Sequence, residues 1–213
     1  MDKKYEEDKI LLSNIEKNIK INEKYEPYIC KVYKNKNDFH IGFTIKIPYP
    51  SRNCYIYVLI ISIEIKKNKL FAVSFGNDNK QKLIYYYPER QIYKSQKYNI
   101  QIIEILPDKD DLHNFLEFNE DPNIEDDFVN KNFDVCIPYY SNNNQLSMFI
   151  GEFNKYKIND DISKEGGFER PIILLNSFKV IGINDGKNKD NITFLKYPIF
   201  EFIKNEIIIT LNI

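Results

Sequence analysis

Two short apolar runs near the C-terminal end, Ile172–Leu175 and Val180–Ile183, restrict the folds that this chain can adopt. Both are rich in β-branched residues, and only the polar pair Asn176-Ser177 with its flanking residues separates them. β-Branched residues on both sides of a tight polar turn predict a β-hairpin. A polar loop follows, and the spacing in Pro198–Ile203 predicts a short amphipathic helix after it.

Similar apolar runs recur from residue 28 onward, and segments that contain Pro, Gly and Asn separate them. Such runs are the length of single strands, and the intervening residues are typical of turns. An all-β domain of the barrel or sandwich type is therefore expected. The predicted strands before the hairpin are Tyr28–Tyr33, Ile41–Ile47, Cys54–Ile65, Leu70–Phe75, Leu83–Tyr87, Tyr98–Leu106, Phe133–Tyr139 and Leu146–Phe153.

The remaining segments set the predicted domain organisation. Helical spacing of Ile10, Leu11, Ile15 and Ile19 predicts an amphipathic helical arm over residues 1–26, docked on the domain or on a partner. A first β unit over 27–107 is followed by an acidic connector over 108–132 and a second β unit over 133–213. The connector is expected to be solvated, with a helical turn at Asp110–Glu117, and Ile207–Leu211 is expected to add a strand or a tail.

Charge, cysteine content and hydropathy exclude several functional classes. The net charge of -1 offers no basic field for nucleic acid. Cys30, Cys54 and Cys136 are odd in number and lack a metal-ligand spacing, so they are expected to be reduced and mostly buried, with no metal and no cofactor. The acidic N-terminus is unlike a signal peptide, and no apolar run approaches the roughly 20 residues of a membrane span. A cytoplasmic protein is expected.

Four segments resemble the trypsin-like serine peptidases, in particular their small intracellular group. They are Gly42–Pro50, Val58–Ile60, Tyr98–Ile105, and the hairpin together with Phe194–Ile203. They occur in the order expected for that family and cover the chain from about residue 28 to residue 203. The resemblance implies two six-stranded β-barrels of the chymotrypsin type, with an N-terminal amphipathic helix and a short C-terminal helix.

The three catalytic positions that the resemblance implies carry other residues. Glu64 stands at the place of the histidine, Asn99 at that of the aspartate and Phe168 at that of the serine. Phenylalanine has no nucleophilic atom, and asparagine cannot supply the negative charge that stabilises an imidazolium. Gly166 and Gly167 either retain a turn whose N–H groups bind a carbonyl or serve turn geometry alone.

A catalytically inactive, trypsin-like binding module is therefore expected. The groove implied by the resemblance would hold an extended peptide or another protein along an edge strand. Its candidate residues are Gly166, Gly167, Phe168 and Arg170, in which Phe168 would anchor an apolar group and Arg170, paired with Glu64, would supply charge. Nothing in the sequence predicts the oligomeric state.

Two alternatives remain open at this point. A hydrolase could use a relocated nucleophile, Ser177, Ser62 or Cys136, with His40 or His113 as the base. The chain could instead be a structural subunit that makes permanent contacts through its N-terminal helix and exposed aromatic residues. No nucleophile elbow, phosphate-binding loop or zinc-peptidase motif occurs in the sequence.

Overall fold

The β-rich architecture predicted from the sequence is confirmed in coarse terms, because most of the described chain is strand. The structure, a computed structural model, describes residues 20–35, 38–49, 54–62, 70–78, 80–85, 87, 90–154, 157–158, 170–184 and 192–211. Its strands are β1 Ile29–Asn35, β2 Asp38–Tyr49, β3 Cys54–Ile61, β4 Phe71–Phe75, β5 Lys82–Ile84, β6 Ile92–Ser95, β7 Ile100–Glu104, β8 Leu116–Phe118, β9 Phe133–Tyr140, β10 Leu146–Asn154, β11 Lys157–Ile158, β12 Arg170–Leu174, β13 Lys179–Asn184 and β14 Ile192–Phe194. The helices are α1 at residues 20–25, α2 Pro107–Asp110, α3 Ile124–Asn130 and α4 Lys196–Leu211.

Strands β1 to β7 form the first half of the sheet. β1, β2 and β3 are joined as antiparallel hairpins, and β4 returns to pair with the other edge of β1. The spatial order β4-β1-β2-β3 is that of a Greek key. β7 then pairs with β3, β6 pairs with β7, and β5 extends the sheet beyond β4. Within the described residues, the edge strands of this half are β5 and β6.

Strands β9 to β14 form the second half and repeat the same order. β9, β10 and β11 pair in succession, and β12 returns to pair with β9, so the order β12-β9-β10-β11 is again a Greek key. The predicted hairpin is present as β12 and β13, and β14 pairs with β13. The two halves therefore share one strand order. Pairing of β5 with β6, or of β11 with β14, would close each half into a barrel, but neither pairing occurs within the ranges given above.

A short strand in the acidic connector joins the two halves. β8 runs parallel to β2, where Ile45 faces Leu116, and parallel to β13, where Val180 faces Phe118. The predicted helical turn at Asp110–Glu117 is wrong for most of its length. α2 ends at Asp110, and from Leu116 the side chains alternate between buried and exposed, so period-two burial between two strands replaces helical spacing.

Three apolar layers explain why many strands are apolar on both faces. One cluster fills the interior of the first half and another fills that of the second. Between them lies a third cluster, here called the middle layer, to which both halves and two helices contribute. Its buried members are Tyr25, Ile29, Ile41, Phe43, Ile45, Ile47, Val58, Ile60, Ile100, Ile102, Leu116, Phe118, Cys136, Leu146, Met148, Ile173, Val180, Ile183, Leu195, Ile199 and Phe202.

The C-terminal helix is longer than predicted. α4 begins at Lys196, so Pro198 lies in its first turn, where proline is tolerated. No Gly or Pro follows before its end at Leu211, and the helix continues through the isoleucines of Ile207–Leu211. The strand or tail expected there is therefore wrong, because helix propagation outweighs the β preference of isoleucine.

Further expectations concern the N-terminal arm and the membrane. Ile10, Leu11, Ile15 and Ile19 lie outside the described residues, whereas the following turn of helix, α1, ends at the fully buried Tyr25. None of the helices in the described ranges is long and apolar enough to cross a bilayer.

Candidate functional site

Three of the predicted groove residues and two of the predicted catalytic positions lie outside the described residues, with Phe168 belonging to both sets. Glu64 follows β3 in the chain, and Gly166, Gly167 and Phe168 precede β12. In each half, these positions fall in the sequence between the third and fourth strands of the Greek key. Their contacts, including the predicted pairing of Glu64 with Arg170, stay predictions.

Asn99 is the last residue of the turn that joins β6 to β7. Its side chain is exposed, and its φ of 51° places the backbone in the left-handed region. Asparagine is among the residues that tolerate this conformation, so the turn itself accounts for the residue type. A carboxylate that orients a catalytic imidazole is normally buried, and the environment of Asn99 differs from that.

Arg170 is the first residue of β12 and pairs in register with Asn184. It is buried, and its guanidinium lies 5.5 Å from the ring centroid of Tyr139 on β9. Arginine stacks readily on aromatic rings, so this contact fixes the side chain within the second half.

Cys136, one of the candidate relocated nucleophiles, is held as a neutral thiol in the middle layer. It lies on β9 between Ile173 and Ile150 of the neighbouring strands, and its side chain forms a hydrogen bond with the Tyr25 side chain. Burial raises the pKa of the Cys136 thiol to about 12. Because the thiolate is the reactive form, this environment suits packing and not nucleophilic attack.

The other residues considered as an alternative nucleophile or base lie on separate elements. His113 lies in the connector with 62% of its side chain exposed, and its Nε2 is 3.6 Å from Asp111 Oδ1. His40 lies on β2, where burial lowers its pKa. Ser177 is exposed in the turn between β12 and β13, and Ser62 follows the end of β3.

Lys31 is a buried cation that the sequence analysis did not single out. It lies on β1 between Ile41 of β2 and Ser74 of β4, on the sheet face that also carries Ile29 and therefore borders the middle layer. The residue is 2% exposed. A signal was present in the sequence, since Ile29–Tyr33 is an apolar strand with a lysine at its centre.

Aromatic rings from both halves surround the Lys31 ammonium. Its Nζ lies 4.8 Å from the ring centroid of Tyr140 and 5.5 Å from that of Phe39, and these two rings meet edge to face at 5.4 Å. The Tyr33 ring lies 6.0 Å from Phe39, and its hydroxyl is 3.0 Å from Ser74 Oγ. We call these five residues the Lys31 cluster.

Polar contacts next to the Lys31 cluster hold the two halves together. The Tyr140 hydroxyl donates to the carbonyl of Gly76 at 3.1 Å, and burial raises the pKa of Tyr140 well above its usual range. In the same turn, Asn77 Oδ1 accepts the N–H of Leu146 at 2.6 Å, and its amide donates to Glu26. The turn between β4 and β5 is therefore fixed against the second half.

A second surface feature lies at the outer edge of the first half. Three of the large apolar side chains that are exposed in the described chain belong to this edge: Leu70 directly precedes β4, Leu83 lies on β5 and Tyr85 directly follows β5. β5 pairs with β4, with Leu83 opposite Ala72, and is the last strand on that side within the described residues. We call Leu70, Leu83 and Tyr85 the β5 edge patch.

Comparison with known proteins gives one distant likeness. No protein-family model matches the chain, and no curated protein matches it. Among solved structures, the chain is similar to a catalytically inactive tobacco etch virus protease complexed with substrate, at 13% sequence identity and a TM-score of 0.44, over 80% of this chain and 79% of that chain. In the described ranges, no group of three or more His, Cys, Asp or Glu side chains is arranged to hold a metal ion. A likeness of this degree does not assign the chain to a family.

Proposed function

We propose that this chain is a non-catalytic binding module with a trypsin-like strand arrangement, and that it binds an extended peptide by strand addition at β5. The observation that carries the proposal is the β5 edge patch. It combines a sheet edge with three large exposed apolar side chains. β5 also carries Lys82, which pairs with Asp111, but within the described residues nothing covers Leu70, Leu83 and Tyr85. Apolar side chains left exposed at a sheet edge mark an interaction site.

An edge strand suits an extended polypeptide for a specific chemical reason. Within the described residues, no strand pairs with the outward main-chain N–H and C=O groups of β5, and an added strand would satisfy them with a ladder of hydrogen bonds. Leu83 lies on β5 and Tyr85 follows two residues later, just after the strand ends, so an extended backbone would place both side chains on one side. A peptide with apolar residues at alternate positions would pack against both side chains.

The absence of catalysis is the second part of the proposal. It is supported by the replacement of all three family positions in the sequence and by the environments of the alternative residues. Cys136 is buried with a raised pKa, and His113 is exposed in the connector. We therefore expect no hydrolysis of peptides or esters and no serine labelled by a fluorophosphonate probe. Labelling that disappears when one serine is replaced would contradict this part.

Peptide binding is tested by selecting random dodecapeptides displayed on phage against the full chain. Two tyrosines provide a matched pair of variants, since Tyr85 is 52% exposed on the β5 edge patch and Tyr55 is 51% exposed on β3. The selected peptides should show alternating apolar residues. Their affinity should fall about tenfold or more in Tyr85→Ser and in Leu83→Lys, as expected when an anchor side chain is lost, and should be unchanged in Tyr55→Ser.

Three outcomes would overturn the assignment of the edge. The selection could yield no peptide, or peptides that bind all variants equally. Light scattering could also show a dimer that Leu83→Lys converts to a monomer. The last result would assign the β5 edge patch to a second copy of this chain and not to a peptide.

A further inference from the structure

We propose that the Lys31 cluster is a binding site for a carboxylate group carried on an apolar body. The site lies where β1, β2 and β4 of the first half meet the end of β9 of the second. It does not depend on the β5 edge patch, because the two features involve different residues. The inference therefore stands or falls separately from the proposed function.

The first argument is that the Lys31 ammonium has no counterion among the described residues. Lys31 is 2% exposed, and within the described chain its charge faces aromatic rings and no carboxylate. A lysine ammonium carries three N–H donors, and ring faces satisfy its charge only in part. Buried charges in proteins are otherwise paired, so an anionic ligand would complete this site.

The second argument is access. Tyr33, Phe39 and Tyr140 are each partly exposed, so the cluster extends from the buried ammonium to the surface. The hydroxyl pair of Tyr33 and Ser74 lies at the same place and offers a further donor to an oxygen ligand. A carboxylate could thus meet one cation and one hydroxyl donor while its apolar body rests on the rings.

The composition of the cluster selects the chemical class of ligand. One ammonium matches a single negative charge, whereas phosphate sites typically use arginine forks, backbone N–H groups or several cations. The three aromatic walls favour an apolar or aromatic body over a sugar or a nucleotide. An aromatic carboxylate fits both requirements.

Packing alone would not require a lysine at position 31. Methionine has a side chain of similar length and would occupy the same space without the cost of burying a charge. We therefore expect Lys31→Met to raise the thermal midpoint of the unliganded protein. Such a gain would show that the Lys31 charge is not required for the stability of the fold.

Binding is tested on the full chain with phenylacetate and with phenylacetamide, its neutral analogue. Phenylacetate should raise the thermal midpoint in a dose-dependent manner, and phenylacetamide at the same concentration should have no such effect. In Lys31→Met, the affinity for phenylacetate by calorimetry should fall about tenfold or more, as expected for loss of a charge-assisted contact. Equal stabilisation by the two probes, or unchanged affinity in Lys31→Met, would overturn the proposal.

A measurement on the wild-type protein keeps the test valid if the variant does not fold. Amide chemical-shift changes on adding phenylacetate should centre on Lys31, Phe39 and Tyr140, and changes centred elsewhere would also overturn the proposal.

The source of the carboxylate is then distinguished with three acetylated tripeptides. One ends in a free phenylalanine carboxylate, the second is its C-terminal amide, and the third is an amide with an internal glutamate.

Each tripeptide result has a defined meaning. Binding of the first peptide alone assigns the site to a chain terminus, and binding of the third assigns it to an acidic side chain. Binding of phenylacetate without any peptide assigns it to a small carboxylic acid. Equal binding of the second peptide would show that the carboxylate is not recognised and would contradict the proposal.

Discussion

Arg90 and Asp110 form a buried, two-pronged ion pair, in which Nη2 lies 2.7 Å from Oδ1 and Nη1 lies 2.8 Å from Oδ2. Their side chains are 0% and 1% exposed. Nη1 also donates to the carbonyl of Glu104, and Oδ2 accepts the N–H of Leu106. The pair thus fixes the end of β7 and α2 against the segment that leads into β6. Asp110 was expected in a solvated acidic connector, and here it is part of the interior.

Replacing Asp110 with asparagine should be strongly destabilising. Asp110→Asn keeps the shape of the side chain but leaves the Arg90 charge buried without its counterion. Breaking a buried pair from one side typically costs about 3–5 kcal/mol. The loss should appear as a lower midpoint of urea unfolding at unchanged slope.

The neighbouring Asp111 provides the control for this variant. Its side chain is 81% exposed and pairs with Lys82 at the surface. Asparagine also tolerates the left-handed backbone at this residue, where φ is 52°. Asp111→Asn should therefore leave the urea midpoint nearly unchanged. Similar midpoints for the two variants would show that the buried pair contributes no more than a surface pair.

The elements that the sequence predicted well are those whose signals are local. The hairpin β12–β13 and the pair β9–β10 connect through short polar turns, and the apolar runs alone locate them. β8 could not be found in this way. Leu116–Phe118 is three residues long and becomes a strand because β2 and β13 lie on either side of it. Such pairing depends on tertiary contacts and not on local propensity.

The candidate sites show the same division between local and distant information. The sequence placed Lys31 in a strand, but it could not show that the Tyr140 ring, from the other half, faces the ammonium. It also could not show which strands lie at the edge of the described sheet. The residues of the β5 edge patch could therefore not be distinguished from those of other apolar runs. For Asn99 the sequence indicated a lost carboxylate, and the structure adds the left-handed turn that accounts for asparagine.

The three cysteines should differ sharply in accessibility. Cys54 is exposed at the start of β3, whereas Cys30 and Cys136 are buried. A maleimide should therefore add once to the native protein and three times in urea, as followed by intact mass. Cys54→Ser should prevent native labelling. Rapid addition of a second label to the folded protein would contradict the buried positions of the other two thiols.

The buried thiol of Cys136 should make the protein less stable at alkaline pH. Its folded pKa is raised from 9.0 to about 12, so the native state keeps a proton that the unfolded state releases above pH 9. The stabilisation is complete below pH 9 and is lost as the pH rises toward 12. While the two states differ by one proton, the free energy of unfolding should fall by about 1.4 kcal/mol per pH unit.

This alkaline effect is measured as the difference between wild type and Cys136→Ala in urea unfolding between pH 9 and pH 11. Over this range, the free energy of unfolding of the wild type should fall more steeply than that of Cys136→Ala, by about 1.4 kcal/mol per pH unit. Burial also raises the pKa of Cys30, so Cys30→Ala should change the slope in the same direction. Parallel curves for the wild type and both variants would contradict the linkage.

Gly76 should be intolerant of any side chain, for two separate reasons. Its φ is 54°, in the left-handed region, and a Cβ there would lie 2.7 Å from Glu26 Cβ and 3.1 Å from the Glu26 carbonyl oxygen. Gly76 also donates its N–H to the Ile29 carbonyl within the first half, and its carbonyl accepts the Tyr140 hydroxyl from the second half. The turn therefore cannot move away without losing these two hydrogen bonds. Gly76→Ala should lower the free energy of unfolding by about 2–4 kcal/mol, from backbone strain and overpacking together.

Asn144 separates the two contributions, because its φ is 59° and it is exposed in the turn between β9 and β10. Asn144→Ala places alanine in the same backbone conformation without the crowding at Glu26. It should cost only about 1–2 kcal/mol, which is the strain of the left-handed conformation. Urea unfolding of both variants therefore isolates the energy of the close approach between the β4–β5 turn and Glu26. Equal losses in the two proteins would mean that Glu26 moves aside freely and that this contact does not fix the turn.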